Sequence, residues 1–332
     1  MPDVQRAAEP PTPAGLELQD LCTFTSIAPT SPRWLLLLLL LYAPIGLCLC
    51  AMRVAAAVVL AVLLTLLPAS IVEPAGTIVL WILCACCGVV VRTRCTDGAP
   101  TCTAAARLAA ARVIVANHQS QIDSWPFRLL TPIAVVVRET YRGTSSLLPV
   151  AKLTAAAFEP IFVPTPGSAS EAEEREARAA TRAAVKRHVR SSPKPLLCFP
   201  EGSITNGQGL MRFSTFVFGL DAPIQPVAVR WRAPFPLSFD TVWSPLHWNL
   251  VRMAVQPFHW IELAVLPPVE RRREGEEAAA FAQRTAAVIA AELGVPATQH
   301  STEDKRVLLT RVKRAGKARF LRDGFEKSVK EE

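Results

Sequence analysis

The sequence predicts a layered α/β domain carrying an N-terminal membrane-embedded helical hairpin. Three observations lead there. Short β-branched runs recur along the C-terminal two thirds of the chain, polar helical stretches rich in Glu, Ala and Arg separate them, and a near-continuous apolar run fills the N-terminal part. Strands alternating with helices make a layered α/β architecture, and an apolar run of such length calls for lipid. At 332 residues the chain holds one sizeable domain and an appendage, since single domains mostly span about 100 to 250 residues.

Residues 1–32 are rich in Pro, Thr and Ser without apolar periodicity, and read as a disordered leader. The span 34–72 is apolar almost throughout, interrupted by Arg53 and by the kinking residues Pro44 and Pro68. That is about forty residues, twice the roughly twenty that cross a hydrocarbon core once. It starts too late, is too long and lacks a small-residue cleavage site, so it is not a cleaved signal peptide. A pair of crossings or a hairpin dipping into one leaflet would each return the chain to its starting side. The hairpin is preferred, with Arg53 at the far interface or snorkelling from the turn. Arg33 before the run and Arg92 and Arg94 after it make that side cytosolic. A further apolar stretch, 74–91, either lies in the interface or forms the first helix of the soluble domain. Residues 33–92 together are taken as the anchor.

The domain proper is expected over 104–295. Strands are predicted at 112–116, 133–137, 161–163, 196–199, 224–230 and 261–265. A surface helix is predicted over 170–190, with Glu174 and Arg178 at pairing distance. Another is predicted over 275–293, docking Phe281, Val288, Ile289 and Leu293 and ending at Gly294. Trp243, Trp248 and Trp260 read as core packing in preference to a second, membrane-facing surface. Residues 296–332 form a basic tail.

The net charge of +8 gathers at Arg271 to Arg273 and in that tail. Beside an apolar anchor this favours an anionic membrane surface, at about 1 kcal/mol per cation close to it. Nucleic acid is not expected as a partner, because no aromatic-interleaved basic patch accompanies the charge. Nine cysteines, five of them inside apolar runs, do not make a secreted disulfide framework. No metal site is expected, because His188, His247, His259 and His300 show no ligand spacing.

Two segments carry chemistry, each at the end of a predicted strand. The first runs Asn117-His118-Gln119-Ser120-Gln121-Ile122-Asp123. A carboxylate that fixes an imidazole tautomer lets the other ring nitrogen take a proton from a substrate hydroxyl, so His118 is the candidate general base and Asp123 its orienter. The second runs Phe199-Pro200-Glu201-Gly202-Ser203-Ile204-Thr205-Asn206. Gly202 permits close backbone approach, and Ser203, Thr205 and Asn206 can donate to phosphate or glycerol oxygens. A serine hydrolase is not indicated, since no G-x-S-x-G elbow is present.

Taken together and in this order, N-H-x-x-x-x-D and F-P-E-G-S resemble the paired signature of the glycerophospholipid and lysophospholipid acyltransferases, the PlsC-like superfamily. The likeness extends over about 113–268. Glu159-Pro160-Ile161-Phe162-Val163 sits where that superfamily has its second block, and Ile224-Gln225-Pro226-Val227-Ala228-Val229 matches its fourth. Within it, Leu41-Tyr42-Ala43-Pro44-Ile45-Gly46-Leu47-Cys48, Leu210-Met211-Arg212-Phe213-Ser214 and Gln256-Pro257-Phe258 look most like the ancient ubiquitous protein family, which joins a lipid-droplet hairpin to an acyltransferase-like domain.

The resemblance implies a glycerolipid acyltransferase-like fold at the endoplasmic reticulum membrane and lipid droplet, with the catalytic domain in the cytosol. It implies acyl transfer from acyl-CoA, a co-substrate, to a glycerol-phosphate or lysophospholipid hydroxyl, with no other cofactor. His118 and Asp123 would be catalytic, and Glu201, Gly202, Ser203, Thr205 and Asn206 would hold the acceptor head group. The alternative it implies is a catalytically weak lipid-droplet scaffold with protein partners. Two departures stand out. Pro164-Thr165 replaces the arginine that ends the second block, leaving Arg138, Lys152 or Arg212 to substitute, and the CUE domain and conjugating-enzyme-binding tail of that family are not expected here.

Overall fold

The computed structural model describes residues 16–24, 33–98, 103–138, 158–164, 170–220, 222–235, 237, 239, 242–243, 246–270 and 275–317. Its strands are β1 (Val89–Cys95), β2 (Val113–Ala116), β3 (Ala134–Arg138), β4 (Glu159–Val163), β5 (Leu196–Cys198), β6 (Ile224–Arg232) and β7 (His259–Val265). They form one sheet in the order β1-β7-β6-β2-β5-β3-β4. The pairs from β6 through β4 are parallel, β7 runs antiparallel to β6, and β1 is parallel to β7.

All four residues of β2 are buried, as expected of a parallel strand covered on both faces. Ile114, Ala116, Val227 and Val229 pack with Leu80 and Phe127 on one side. Val113, Val115, Cys198 and Ala228 pack with Phe218 and Phe281 on the other. The six strands read from the sequence are all present, shifted at their ends by a residue or two. Pro160 falls on β4, the sheet's edge, where a missing N–H costs no ladder bond.

The helices are α1 (Arg33–Leu66), α2 (Ala69–Cys86), α3 (Ala104–Ala110), α4 (Ser124–Leu130), α5 (Glu171–Ser191), α6 (Leu246–Val255), α7 (Ala278–Leu293) and α8 (Thr302–Ala315). Ser170 caps α5 in a reciprocal box with Glu173, and Arg178 meets Glu174 at 2.8 Å. Gly294, at φ 67°, ends α7 in the left-handed conformation.

The anchor is a broken pair of helices. α1 has 34 residues, about 51 Å at 1.5 Å per residue, and Pro68 caps the start of α2 after the break. Arg33–Leu60 is long and apolar enough to cross a membrane, and little of it is buried. α2 has two faces: Val79, Leu80 and Cys84 are buried in the core, while Ile78, Trp81 and Ile82 are exposed. The apolar stretch over 74–91 is therefore the domain's first helix as well as the second arm. It leads directly into β1, so the expected anchor boundary at residue 92 falls inside a strand of the sheet.

Arg53 is neither at the far end of the hairpin nor snorkelling from its turn. Its guanidinium donates to three carbonyls where α6 ends, those of Ala254 (2.9 Å), Gln256 (2.5 Å) and Pro257 (2.8 Å). Tyr42 Oη adds a bond to Val255 O at 3.0 Å. A helix C-terminus presents unsatisfied carbonyls and the negative end of its dipole, so a cation there is matched even in an apolar run. Gly88 makes room for it. At φ 66°, a Cβ on Gly88 would lie 2.5 Å from Arg53 Nη2 and 2.7 Å from Pro257 O.

Parts of the leader and of the tail are built into the fold. Residues 18–21 make a turn of 3-10 helix with Leu21 fully buried. α8, capped by Ser301 and Asp304, buries Val312 and Lys305. The sequence missed both because their apolar contacts are few and lie far apart along the chain. Leader residues 1–15 and 25–32 and tail residues 318–332 lie outside the described residues. Trp248 corrects the core reading of the tryptophans, being 54% exposed on α6.

Replacing Arg53 with Met removes three charge-assisted bonds, each worth about 1.5–3 kcal/mol. Thermal or denaturant unfolding of the detergent-solubilised protein should show at least about 2 kcal/mol of lost stability. An unchanged midpoint would mean that α1 is not fastened to α6.

Candidate active site

The topology brings three strand exits together. β2 lies between β5 and β6 and parallel to both, so their C-terminal ends open on the same edge, where open parallel sheets place ligands. His118 follows β2, Glu201 follows β5, and Trp231 stands at the end of β6.

Asn117 fixes the first exit. Its side chain donates to Val229 O at 2.9 Å and accepts from Val229 N at 2.7 Å, fully buried. The chain then turns back so that Asp123 Oδ2 lies 2.9 Å from His118 Nδ1. The same oxygen accepts the amides of Gln119 (2.6 Å) and Ser120 (2.9 Å), and Oδ1 accepts Trp231 Nε1 at 2.6 Å. Facing a carboxylate oxygen that accepts two amides, Nδ1 carries the proton and Nε2 keeps its lone pair. The imidazole stacks on Phe199, ring centroids 4.5 Å apart. The His118 side chain is 21% exposed and that of Asp123 wholly buried, an accessible imidazole on a fixed mount.

Glu201 is turned inward. One carboxylate oxygen accepts His118 N at 2.7 Å, the other accepts Met211 N at 3.0 Å, and the side chain is fully buried. Both oxygens serve backbone amides, so Glu201 joins the two motifs and does not face a ligand. Burial pushes its carboxyl up to about 8, against the pull of those two amides and of Lys305. Gly202 makes the turn at φ 62°, and its amide bonds Phe199 O at 3.0 Å.

The donors expected to meet a head group are partly committed elsewhere. Thr205 bonds His118 O through N (2.8 Å) and Oγ1 (3.3 Å). Asn206 binds the leader, with N to Leu21 O at 3.1 Å and Nδ2 to Asp20 O at 2.6 Å. Ser203 stays partly exposed on the turn. Behind it, Thr302 Oγ1 donates to Glu201 O at 2.6 Å and Lys305 Nζ donates to Ile204 O.

Beside the dyad is a cavity of about 220 Å³, with Thr23, Gln119, Thr205, Trp231, Phe239 and Met253 in its wall. Among the described residues no group of His, Cys, Asp and Glu could hold a metal ion. His259 is buried, and that burial lowers it below the ordinary imidazole value.

Sequence reasoning gave no role to Trp231, Gln119, Thr302 or Lys305. Trp231 had a signal, because Val227, Val229 and Trp231 alternate on one face of β6, the face that carries Ala116 of β2. Thr302 and Lys305 had none, being brought in by a helix remote in sequence.

Comparison with known proteins matches residues 101–230 to the family model described as Acyltransferase. The chain is 30% identical over 301 residues to the mouse (Mus musculus) lipid droplet-regulating VLDL assembly factor AUP1, covering 90% of this chain and 64% of that protein. It is 31% identical over 208 residues to the lysophospholipid acyltransferase LPEAT2 of Arabidopsis thaliana, covering 61% of this chain and 36% of that one. This chain thus spans just under two thirds of the mouse relative's length. The crystal structure of a 1-acyl-sn-glycerophosphate acyltransferase from Thermotoga maritima covers 76% of this chain and 97% of that one, at 13% identity and a TM-score of 0.44.

Glu201 yields a pH test. Its folded value stands above the ordinary 4.5, so the fold favours the protonated form. Its contribution to stability is complete below about pH 4.5 and declines as the pH rises through about 8. Glu201→Gln, uncharged throughout, is expected to be less stable because it accepts only one of the two amides, yet to lose that part of the slope. Unfolding midpoints across this range, with equal slopes in both proteins, would rule the account out.

Proposed function

This chain belongs to the PlsC-like acyltransferase superfamily, and on that premise we propose that it moves an acyl group from acyl-CoA to the hydroxyl of a glycerol phosphate or lysophospholipid. The observation that carries the reading is the His118–Asp123 pair, at 2.9 Å, with its carboxylate held by four donors.

In this reading His118 Nε2 takes the acceptor's hydroxyl proton as the oxygen attacks the thioester carbonyl. The imidazolium that forms is stabilised by Asp123, and its proton passes to the thiolate of CoA when the carbon–sulfur bond breaks. Asp123 and Trp231 keep the ring in one tautomer and one orientation. Glu201 acts by positioning, since it holds the amide of His118 itself. Gly202 and Ser203 are partly exposed on the turn, where an acceptor or thioester can approach.

The exposed apolar surface of α1 supports residence at a membrane, and the lipid-droplet factor among the relatives supports a droplet surface. We place the protein at the endoplasmic reticulum and lipid droplet, with the domain in the cytosol where acyl-CoA is found. A second reading, a lipid-droplet scaffold with little turnover, is favoured by that same relative and by Pro164, which stands near the position of the second-block arginine.

The test is acyl transfer from labelled oleoyl-CoA to glycerol 3-phosphate, lysophosphatidic acid or lysophosphatidylcholine by the purified protein. General-base catalysis contributes about 10²- to 10⁴-fold, so His118→Ala should lose at least about a hundredfold of the turnover. Trp231→Phe should lower kcat while leaving KM for acyl-CoA in place. No product with any acceptor would move the assignment to the scaffold.

A further inference from the structure

Of the cations expected to stand in for the second-block arginine, Arg138 ends β3 and Arg212 is exposed beyond the turn. Lys152 lies outside the described residues. A different cation is built into the back of the site. Among the described residues, Lys305 is the only lysine or arginine that is buried, at 2% exposure.

Its place on α8 follows from helical spacing. Thr302, Lys305, Leu309 and Val312 recur at intervals of three and four residues, the face that a helix turns toward its neighbour. Leu309 and Val312 pack with Phe24 of the leader, while Glu303, Asp304, Arg306 and Lys313 are exposed. The inward face thus carries two polar groups at its N-terminal end, and both bond the turn after β5. Thr302 Oγ1 donates to Glu201 O at 2.6 Å, and Lys305 Nζ donates to Ile204 O. Lysine is almost never fully buried unless its charge is matched. The carboxylate that feels this one is Glu201, three residues before Ile204.

We propose that Lys305 is a positioning residue for the His118–Asp123 dyad: its ammonium holds the turn through Ile204 O and balances the Glu201 carboxylate that fixes the amide of His118. The proposal rests on the acyltransferase reading and adds to it a residue outside both motifs. Ionised, Glu201 accepts His118 N at 2.7 Å and Met211 N at 3.0 Å, and such charge-assisted bonds are about twice as strong as neutral ones. Protonation turns one of its oxygens into a donor, beside amides that are donors too. Lys305 acts on the ring through Glu201, without touching substrate.

The other groups around the carboxylate do not replace it. Asp123 adds to burial in pushing Glu201 up, against the pull of Lys305. On β5, the buried Cys198 thiol is pushed up to about 12 and stays neutral. In the leader, burial likewise raises Cys22, which feels the charges of Lys305 and Asp20. Arg212 and His300 act on Asp304, at the exposed start of α8. The His118 imidazole is turned to Asp123.

The backbone amide of His118 reports the ionisation of the carboxylate it bonds. In the full chain, labelled on its histidines and held in detergent, the amide resonance would be followed against pH by nuclear magnetic resonance in the native protein, Lys305→Gln, Lys305→Arg and Thr302→Val. Glu201→Gln serves as the blank that removes the step. The native step is expected at about 8. Lys305→Gln keeps a donor for Ile204 O but loses the charge, so its step should lie about one pH unit higher. Its turnover near neutral pH should be about tenfold lower, with KM for acyl-CoA in place, and should recover as the pH passes the new midpoint. Lys305→Arg should stay near the native step, and Thr302→Val, which removes a bond to the same turn but no charge, should not move it. A step unmoved in Lys305→Gln, one moved equally in Thr302→Val, or a moved step with native turnover would each overturn the proposal. Should Lys305→Gln fold poorly, adding Glu201→Gln leaves no carboxylate to balance, and on the alkaline side of the step the double variant should melt like Glu201→Gln alone. A double variant no better folded than Lys305→Gln would overturn the proposal as well. Because the amide is read without turnover, a moved step in a protein that makes no product would sink the catalytic reading and leave the hold of Lys305 on His118 standing.

Discussion

The site depends on one buried carboxylate. Glu201 accepts the amide of His118 with one oxygen and that of Met211 with the other, which ties the exit of β2 to the exit of β5 and to the loop beyond it. The ladder joins the two motifs only as far as Cys198, where β5 ends, and beyond it Glu201 works beside the bonds of Thr205 to His118 O and the stacking of His118 on Phe199. The imidazole's position follows from it, because the residue whose amide is held is the residue that carries the ring. The arrangement is costly, since burial favours the uncharged acid. The surroundings offset part of that cost with two amides and the charge of Lys305. The leader and α8 belong to the same construction: they cover the turn with Leu21, Thr302 and Lys305 and keep water from its back.

The fold was legible where burial leaves a local mark. Strands such as β2 and β3 are runs of β-branched residues because a covered parallel strand is apolar on both faces, and α5 and α7 announce themselves by composition and caps. β1 was hidden for the same reason in reverse. Its Val89, Val90 and Val91 continue the apolar run of the anchor, and nothing in composition separates a lipid-facing valine from one that pairs with β7. The turn at 18–21 and α8 were hidden because what orders them is a handful of contacts from distant segments, such as Leu21 O accepting the amide of Asn206.

The site was legible in its chemistry more than in its geometry. The spacing of His118 and Asp123 implied their contact, and they meet. The polar residues of the second motif were read as facing a ligand, yet Glu201 faces the protein, while Thr205 and Asn206 line the cavity and also bond His118 and the leader. A sequence shows which groups can donate or accept but not in which direction they do so. That direction is set by competition for partners, and buried backbone amides and carbonyls have first claim on polar groups beside them, since leaving them unpaired costs about 1–3 kcal/mol each.

Arg53 shows how anchor and site become one body. In an apolar run it reads as a residue for the interface, because a cation in lipid is costly. It is placed instead against the C-terminal carbonyls of α6, where the helix dipole and three acceptors match it. Ala254, whose carbonyl it binds, follows Met253, whose side chain lines the cavity and whose own carbonyl accepts His259 Nε2 at 3.0 Å. The path from the exposed apolar surface of α1 to the cavity wall therefore crosses a single peptide bond of α6. A displacement of α1 relative to the sheet would have to break the guanidinium bonds or carry Met253 with it. α1 is in this way tied through α6 to the cavity wall, and β1, which follows α2 and pairs with β7 along its length, ties the helix pair to the sheet from the other side.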